Sequence, residues 1–262
     1  MKALVKLGGT LLDSLDSRRR LALGLAASAA AGTSLVVVHG GGRQMTRFLA
    51  ERGIESRFVH GLRVTTPETI DAVLKVLAGS VNHELVAELV AAGARAVGLS
   101  GIDASLTEAE FLDPELGAVG RVVRSNPELL DLLVSNGYVP VVACVAGDRQ
   151  GRVYNVNADQ MAVACAAAFR AETLLFLTDV PGVLDGDHRL IPRLTAAEAQ
   201  ALIREGIATA GMQAKLSAAI DALKNGVRQI AVTAGAEPDG IARMLAGESI
   251  GTRIIQGSPT HD

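Results

Sequence analysis

Residues 3–9, Ala-Leu-Val-Lys-Leu-Gly-Gly, and residues 35–43, Leu-Val-Val-Val-His-Gly-Gly-Gly-Arg, decide how this chain is read. Each is a short apolar run that ends in consecutive glycines. A run without polar alternation reads as a strand covered on both faces. Similar runs stand at 94–99, 139–145, 173–177, 229–233 and 252–255. Between them, helical periodicity fills 18–31, 44–52, 67–92, 127–136, 158–169, 196–205, 212–225 and 238–246. Thr66-Pro67, Asn126-Pro127 and Glu237-Pro238 mark helix starts, and Gly93, Gly137 and Gly226 follow helical patterns where a left-handed residue is wanted. Gly79, inside the longest pattern, predicts a break or kink. Strands alternating with helices need crossover connections, so the sheet is expected to be mainly parallel and the class α/β. Residues 105–123, with Gly117 and Gly120, read as an inserted hairpin or lid.

Working outward, 49% apolar residues among 262 are enough for a sizeable core. With 25 Lys+Arg against 28 Asp+Glu, the net charge of -3 leaves no electrostatic footprint for nucleic acid. Aromatic residues at 3%, with no Trp, argue against stacking platforms for single strands. Two cysteines, Cys144 and Cys165, are too few for a disulfide scaffold, and five scattered histidines add no metal cluster. The longest Ala/Leu-rich stretch, 21–31, is interrupted by Gly24 and Ser28 and falls short of the roughly 20 residues of a membrane span. No signal-peptide pattern precedes the first strand, so a soluble cytoplasmic protein is expected.

In an open parallel sheet, ligands bind beyond the carboxyl ends of the strands. The first strand ends in Lys6-Leu7-Gly8-Gly9-Thr10 and the second in His39-Gly40-Gly41-Gly42-Arg43. Consecutive glycines let backbone N–H groups converge on an anion, and a following helix adds its positive end. Two such loops, one carrying a lysine, point to phosphate or carboxylate binding. Neither is a Walker A or dinucleotide fingerprint, and the protein-kinase motifs are absent. Lysine occurs only at 2, 6, 75, 215 and 224. Lys6 and Lys215 stand beside glycines (Gly8-Gly9; Gly211), where a compact ammonium can follow a moving phosphoryl group. Lys2, Lys75 and Lys224 read as solvated. Arg63, in Gly61-Leu62-Arg63-Val64-Thr65, suits a bidentate grip on a carboxylate, or a place on the surface. Tyr154-Asn155-Val156-Asn157-Ala158-Asp159 brings two amides and a carboxylate to a helix start. Capping by Asn157 can coexist with function there. Asp179-Val180-Pro181-Gly182-Val183-Leu184 follows an apolar strand, where a nucleotide could lie.

The motifs KLGG, VVVHGGG, GLRVT, VGLSG, NGYVPVV, YNVNADQ, LTDVPGVL, GMQAK and GTRI together resemble the amino-acid kinase family, over residues 6–255. The resemblance implies a three-layer αβα sandwich around a mainly parallel open sheet. Residues 1–170 would form an N-terminal lobe for an acylated amino acid and for dimerisation, and 171–262 a C-terminal lobe for ATP. It implies transfer of the ATP γ-phosphoryl to the side-chain carboxylate of N-acetyl-L-glutamate, with Mg2+ on the nucleotide phosphates. Lys6 and Lys215 resemble the lysines that stabilise the transition state, and Asp159 the carboxylate that orients them. Gly41, Gly42, Arg63 and Asn155 resemble substrate contacts. Gly8 and Gly9 resemble the phosphate loop. Asp179, Val180, Pro181, Gly182, Val183 and Leu184, with Ile207, Ala208 and Thr209, resemble the nucleotide site. The family pattern is departed from at Ile102 and Ala104, at Ala210, and at Arg170, where relatives often carry glycine. The missing N-terminal extension of hexameric relatives implies an arginine-insensitive homodimer.

The implied chemistry suits the residues. A carboxylate nucleophile with a pKa near ~4.3 is already an anion at pH 7 and needs no general base. Its difficulty is approach to an anionic phosphate, which positioned cations and amides relieve. A kinase for carrier-linked aminoadipate or glutamate shares this chemistry, and a non-catalytic ligand-sensing module shares the glycine loops. The joint presence of Lys6, Lys215 and Asp159 favours the enzyme. Arg18-Arg19-Arg20 reads as a solvated face rather than as a docking site for an acidic carrier.

Overall fold

The apolar runs form the centre of one large sheet in the computed structural model, which describes residues 1–235, 240–248 and 250–257. Its strands are β1 (Lys2–Leu7), β2 (Ser34–His39), β3 (Phe58–Val59), β4 (Leu62–Arg63), β5 (Ala96–Ser100), β6 (Thr107–Phe111), β7 (Gly120–Ser125), β8 (Val139–Ala143), β9 (Val145–Gly147), β10 (Val153–Asn155), β11 (Thr173–Thr178), β12 (Arg193–Thr195), β13 (Gln229–Ala234) and β14 (Thr252–Ile255). The helices are α1 (Leu15–Ala30), α2 (Gly42–Ala50), α3 (Pro67–Val73), α4 (Asn82–Ala91), α5 (Glu128–Ser135), α6 (Ala158–Phe169), α7 (Ala196–Arg204), α8 (Ala210–Lys224) and α9 (Gly240–Leu245).

The large sheet runs β12-β14-β13-β11-β1-β2-β8-β5. Its pairs are parallel except β13–β14. Residues 3–5 of β1 and 36–38 of β2 are fully buried, which requires cover on both faces. Two helical groups supply it: α1 packs with α4 and α9, and α6 packs with α8. The result is the expected three-layer α/β sandwich. From β1 the chain passes to β2, β5 and β8 on one side, whereas β11 leads to β13 on the other. The carboxyl ends of β1 and β11 therefore meet at a topological switch point, where open sheets bind ligands.

Residues 105–123 do form an antiparallel pair, β6–β7, inside a small second sheet ordered β10-β9-β6-β7. The run 139–145 is divided between the sheets: β8 stays in the large one, and β9 joins the small one. Where Gly79 predicted a break or kink, a π-helical stretch, Leu74–Val81, joins α3 to α4. The amide of Asn82 bonds back to the carbonyl of Leu77, so the helix widens without ending. Thr66 caps α3, with Pro67 at its first position. The expected start at Glu237-Pro238 lies outside the described residues. Arg170 closes α6 in the left-handed conformation, φ 56°, where glycine would carry no Cβ penalty. Two of the three arginines at 18–20 join helices: Arg18 lies 3.4 Å from Glu84 and Arg19 3.4 Å from Glu88, tying α1 to α4, while Arg20 is exposed as expected. Among the described residues no helix is long and apolar enough to cross a membrane.

Candidate functional site

Lys6 is the penultimate residue of β1, between Val38 of β2 and Phe176 of β11. A lysine in that central strand is surrounded by apolar neighbours and is only 6% exposed. Its charge is met by Asp159 in the first turn of α6, whose Oδ1 lies 2.5 Å from Lys6 Nζ. Asp159 does not cap that helix. Asn157 does, its side-chain oxygen accepting from the amides of Asp159 (2.9 Å) and Gln160 (3.2 Å). The cap fixes the helix start and leaves the Asp159 carboxylate for the lysines. From the first turns of α8, Lys215 brings its Nζ to 3.9 Å from Asp159 Oδ2. Two lysines 209 residues apart in sequence thus face one carboxylate. Burial holds the Lys215 ammonium below the ordinary lysine value, opposed by the attraction of Asp159; Lys6 lowers it further and Asp179 raises it.

The two glycine loops lie against each other beside this cluster. A Cβ on Gly9 would stand 3.1 Å from the amide nitrogen of Gly42, and one on Gly41 would stand 2.5 Å from Leu77 of the π-helical stretch. Side chains at either place would push the loops or the helix away. Behind them His39 is wholly buried. Its Nδ1 donates to the Gly40 carbonyl (2.8 Å), and its Nε2 accepts from the Asn82 amide (2.9 Å). Burial lowers the His39 pKa to about 4, so the ring is neutral at pH 7.

Gly41, Gly42, Arg63 and Asn155 line one cavity of about 160 Å³, with Cys144 and Leu77 among its apolar walls. That volume suits a small metabolite rather than a drug-sized ligand, whose pockets start near ~300 Å³. Arg63 is 8% exposed. Its guanidinium donates to Ser56 Oγ (2.5 Å), the Gly42 carbonyl (3.0 Å) and Thr46 Oγ1 (2.9 Å), and it stacks on Phe58 at 4.6 Å from the ring centroid. All of these partners are neutral, and burial lowers the Arg63 pKa from its ordinary value. A desolvated cation held, among the described residues, only by neutral groups is prepared for an anion. Asn155 donates to Thr65 Oγ1 at 3.1 Å. Cys144 is buried and its thiol is pushed up to about 11, so it is a wall and not a thiolate nucleophile.

Asp179 is exposed, directly beyond β11, and Thr178 donates to it at 3.2 Å. Gly8 donates to the Leu177 carbonyl (2.9 Å), which brings the first glycine loop to the same strand end. Val183 and Ala208 are buried, and the Val183 amide donates to Thr252 Oγ1 at 2.8 Å. Ile207 and Thr209 are exposed before α8. Sequence reasoning missed Ser56, Thr46 and Phe58, which hold Arg63, and gave no role to Thr65 of the GLRVT motif, which accepts from Asn155. Ser56, Thr46 and Phe58 belong to no motif; only folding brings them to the site. Lys2, Lys75 and Lys224 pair at the surface with Asp131, Asp71 and Asp221.

A sheet switch point lined by glycine loops, with two lysines on one carboxylate, defines an α/β protein equipped to stabilise a transferring anion. Residues 1–234 match the model of the amino acid kinase family, and the chain belongs to that family. It is 69% identical over 255 residues to an acetylglutamate kinase from Solibacter usitatus (strain Ellin6076), covering 97% of this chain and 99% of the relative. It is 42% identical to an acetylglutamate kinase from Agrobacterium fabrum (strain C58 / ATCC 33970), covering 96% of this chain and 90% of the relative. Among solved structures, the N-acetylglutamate synthase from Neisseria gonorrhoeae complexed with coenzyme A and N-acetyl-glutamate is similar, with a TM-score of 0.87 at 24% identity. The match covers 98% of this chain and 60% of the synthase chain, and it speaks for the fold alone.

Proposed function

We propose that this chain transfers the γ-phosphoryl of ATP to the side-chain carboxylate of N-acetyl-L-glutamate, giving N-acetyl-L-glutamyl 5-phosphate and ADP in arginine biosynthesis. The observation that carries the reading is the convergence of Lys6 and Lys215 on Asp159 beside two touching glycine loops.

In the proposed mechanism Arg63 and Asn155 hold the α-carboxylate and the amide of the acyl amino acid in the 160 Å³ cavity. Gly41 and Gly42 close over it with backbone only. The side-chain carboxylate, ionised at pH 7, needs no proton removed and is aimed at the γ-phosphorus. Gly8 ties the phosphate loop to the end of β11 through its amide, and Gly9 presents its amide to the nucleotide phosphates. Lys6 and Lys215 offset the charge on the phosphoryl oxygens as phosphorus changes partners, and Asp159 holds both ammonium groups in place. Residues 1–170 would carry the acyl amino acid. Asp179–Leu184 (residues 179–184) and residues 207–209, within 171–262, would carry ATP. Mg2+ prefers oxygen donors and keeps much of its water, which suits nucleotide phosphates beside the exposed carboxylate of Asp179. When bound, it supplies further neutralisation of the phosphate charge. The proposal includes a homodimer working in the cytoplasm, to be checked by sedimentation and cell fractionation.

The test is ATP turnover with N-acetyl-L-glutamate, trapping the acyl phosphate with hydroxylamine, against a panel of glutamate, N-acetylaspartate and aminoadipate. Hydroxamate formed preferentially from N-acetyl-L-glutamate is the expected result. Turnover only with another acid, or with none, overturns the assignment.

A further inference from the structure

The helix α2 starts at Gly42, and its cap residue, Gly41, has no side chain to bond the first amides. Gln44 is the third residue of that helix, a place from which glutamine commonly reaches back to the cap amide. Here it reaches elsewhere. Its Nε2 donates to the carbonyl of Gly9, 35 residues earlier, at 3.3 Å. Gln44 is 8% exposed, and its Oε1 is buried with no hydrogen-bond partner among the described residues. An orphaned buried carbonyl oxygen opposes folding. Neither capping nor stability therefore accounts for a glutamine at this position, whereas the bond to Gly9 crosses the seam between the two glycine loops. The loops leave no room for a side chain between them: a Cβ on Gly9 would meet the Gly42 amide at 3.1 Å and that of Gly41 at 3.5 Å.

We infer that Gln44 is a positioning residue that clamps the Gly8–Gly9 loop to the Gly41–Gly42 loop. Resting on the proposed phosphoryl transfer, this gives the clamp a task. It sets the spacing between the amides that face the nucleotide phosphates and those that close over the acyl amino acid. Gln44 does not line the 160 Å³ cavity, so its effect on the rate would come through alignment. A misplacement of about 1 Å between reacting groups can cost about a hundredfold.

The experiment compares wild type with Gln44→Leu and Gln44→Glu. Leucine matches the glutamine in size, removes the orphaned oxygen and cannot hold Gly9. Glutamate keeps the shape and suits the first turn of a helix, but it turns an acceptor toward the Gly9 carbonyl. Three readouts are taken: kcat and both KM values by hydroxamate trapping, the melting temperature, and amide hydrogen exchange in peptides spanning residues 8–12 and 40–44. The expected result is a melting temperature equal to or above wild type for Gln44→Leu. In both variants kcat falls tenfold or more, each KM changes less than threefold, and exchange rises in 8–12. Wild-type kcat per folded molecule, or unchanged exchange in 8–12, overturns the inference. Should Gln44→Leu fail to fold, Gln44→Glu decides by the same criteria. An inactive wild type would refute the proposed function alone, because the exchange measurement still tests the clamp.

Discussion

Asp159→Asn keeps the shape of the side chain and removes the charge to which both lysines turn. The Lys6 side chain is 7% exposed and that of Asp159 10%, so the loss leaves a desolvated ammonium with no counter-charge. Removing one partner of a buried pair costs about 3–5 kcal/mol. Lys215 is more open, 14% exposed, and water relieves part of the charge there. A destabilisation of about 3 kcal/mol follows, or roughly 6–12 °C in Tm for a chain of this size. Turnover suffers more, because both donors are freed from their position. A loss of about 100- to 1,000-fold in kcat matches removal of one oriented donor. The pH profile moves in a fixed direction. Asp159 raises the Lys215 pKa against burial, so its removal lowers that pKa and shifts the alkaline fall of kcat to lower pH. The assay is hydroxamate trapping from pH 6 to 10, with a melting curve for each protein. Wild-type kcat with an unmoved alkaline limb would refute the reasoning. So would a loss of activity that merely follows the folded fraction, since Asn157 and not Asp159 caps α6.

Lys6→Ala and Lys215→Ala should each lower kcat by about a hundredfold or more, read in the same assay at saturating substrates. Arg63→Lys loses a guanidinium that makes three hydrogen bonds, and it should raise KM for the acyl amino acid about 10- to 100-fold. KM for ATP should stay within about threefold, as measured by varying each substrate in turn. His39 titrates at about 4 in the folded chain against 6.5 when unfolded, so between those values the unfolded state binds more protons. Its contribution is complete above pH 6.5 and is lost as pH falls toward 4, by about 3 kcal/mol. His39→Gln retains an acceptor for Asn82 and does not titrate. Urea unfolding at pH 7 and pH 4 should therefore show a shallower acid loss, by about that amount.

The sheet was legible because residues 3–7 and 35–39 are apolar without alternation, a pattern that only cover on both faces tolerates. Lys6 was legible for a related reason, as a cation inside such a run ending in glycines. The antiparallel entry of β14 left no mark, since a four-residue strand looks alike in either direction. β9 and β10, three residues each, are too short for periodicity to speak. Gly79 suggested a break or kink, yet the π-helical stretch keeps its hydrogen bonds by shifting to a more distant carbonyl, and its Leu77 side chain packs on Gly41. The partners of Arg63 were invisible for the same physical reason. Ser56 and Thr46 matter through where tertiary structure puts them, not through their local pattern.

The central claim is that Lys6 and Lys215 act together on the transferring phosphoryl. It is tested most directly by a crystal structure with ADP, Mg2+, N-acetyl-L-glutamate and aluminium tetrafluoride standing in for that phosphoryl. The account predicts both Nζ atoms within about 2.7–3.1 Å of fluorine ligands of the aluminium, with Asp159 still between them. Either lysine turned toward solvent in that complex, with the analogue held by other groups, would contradict it.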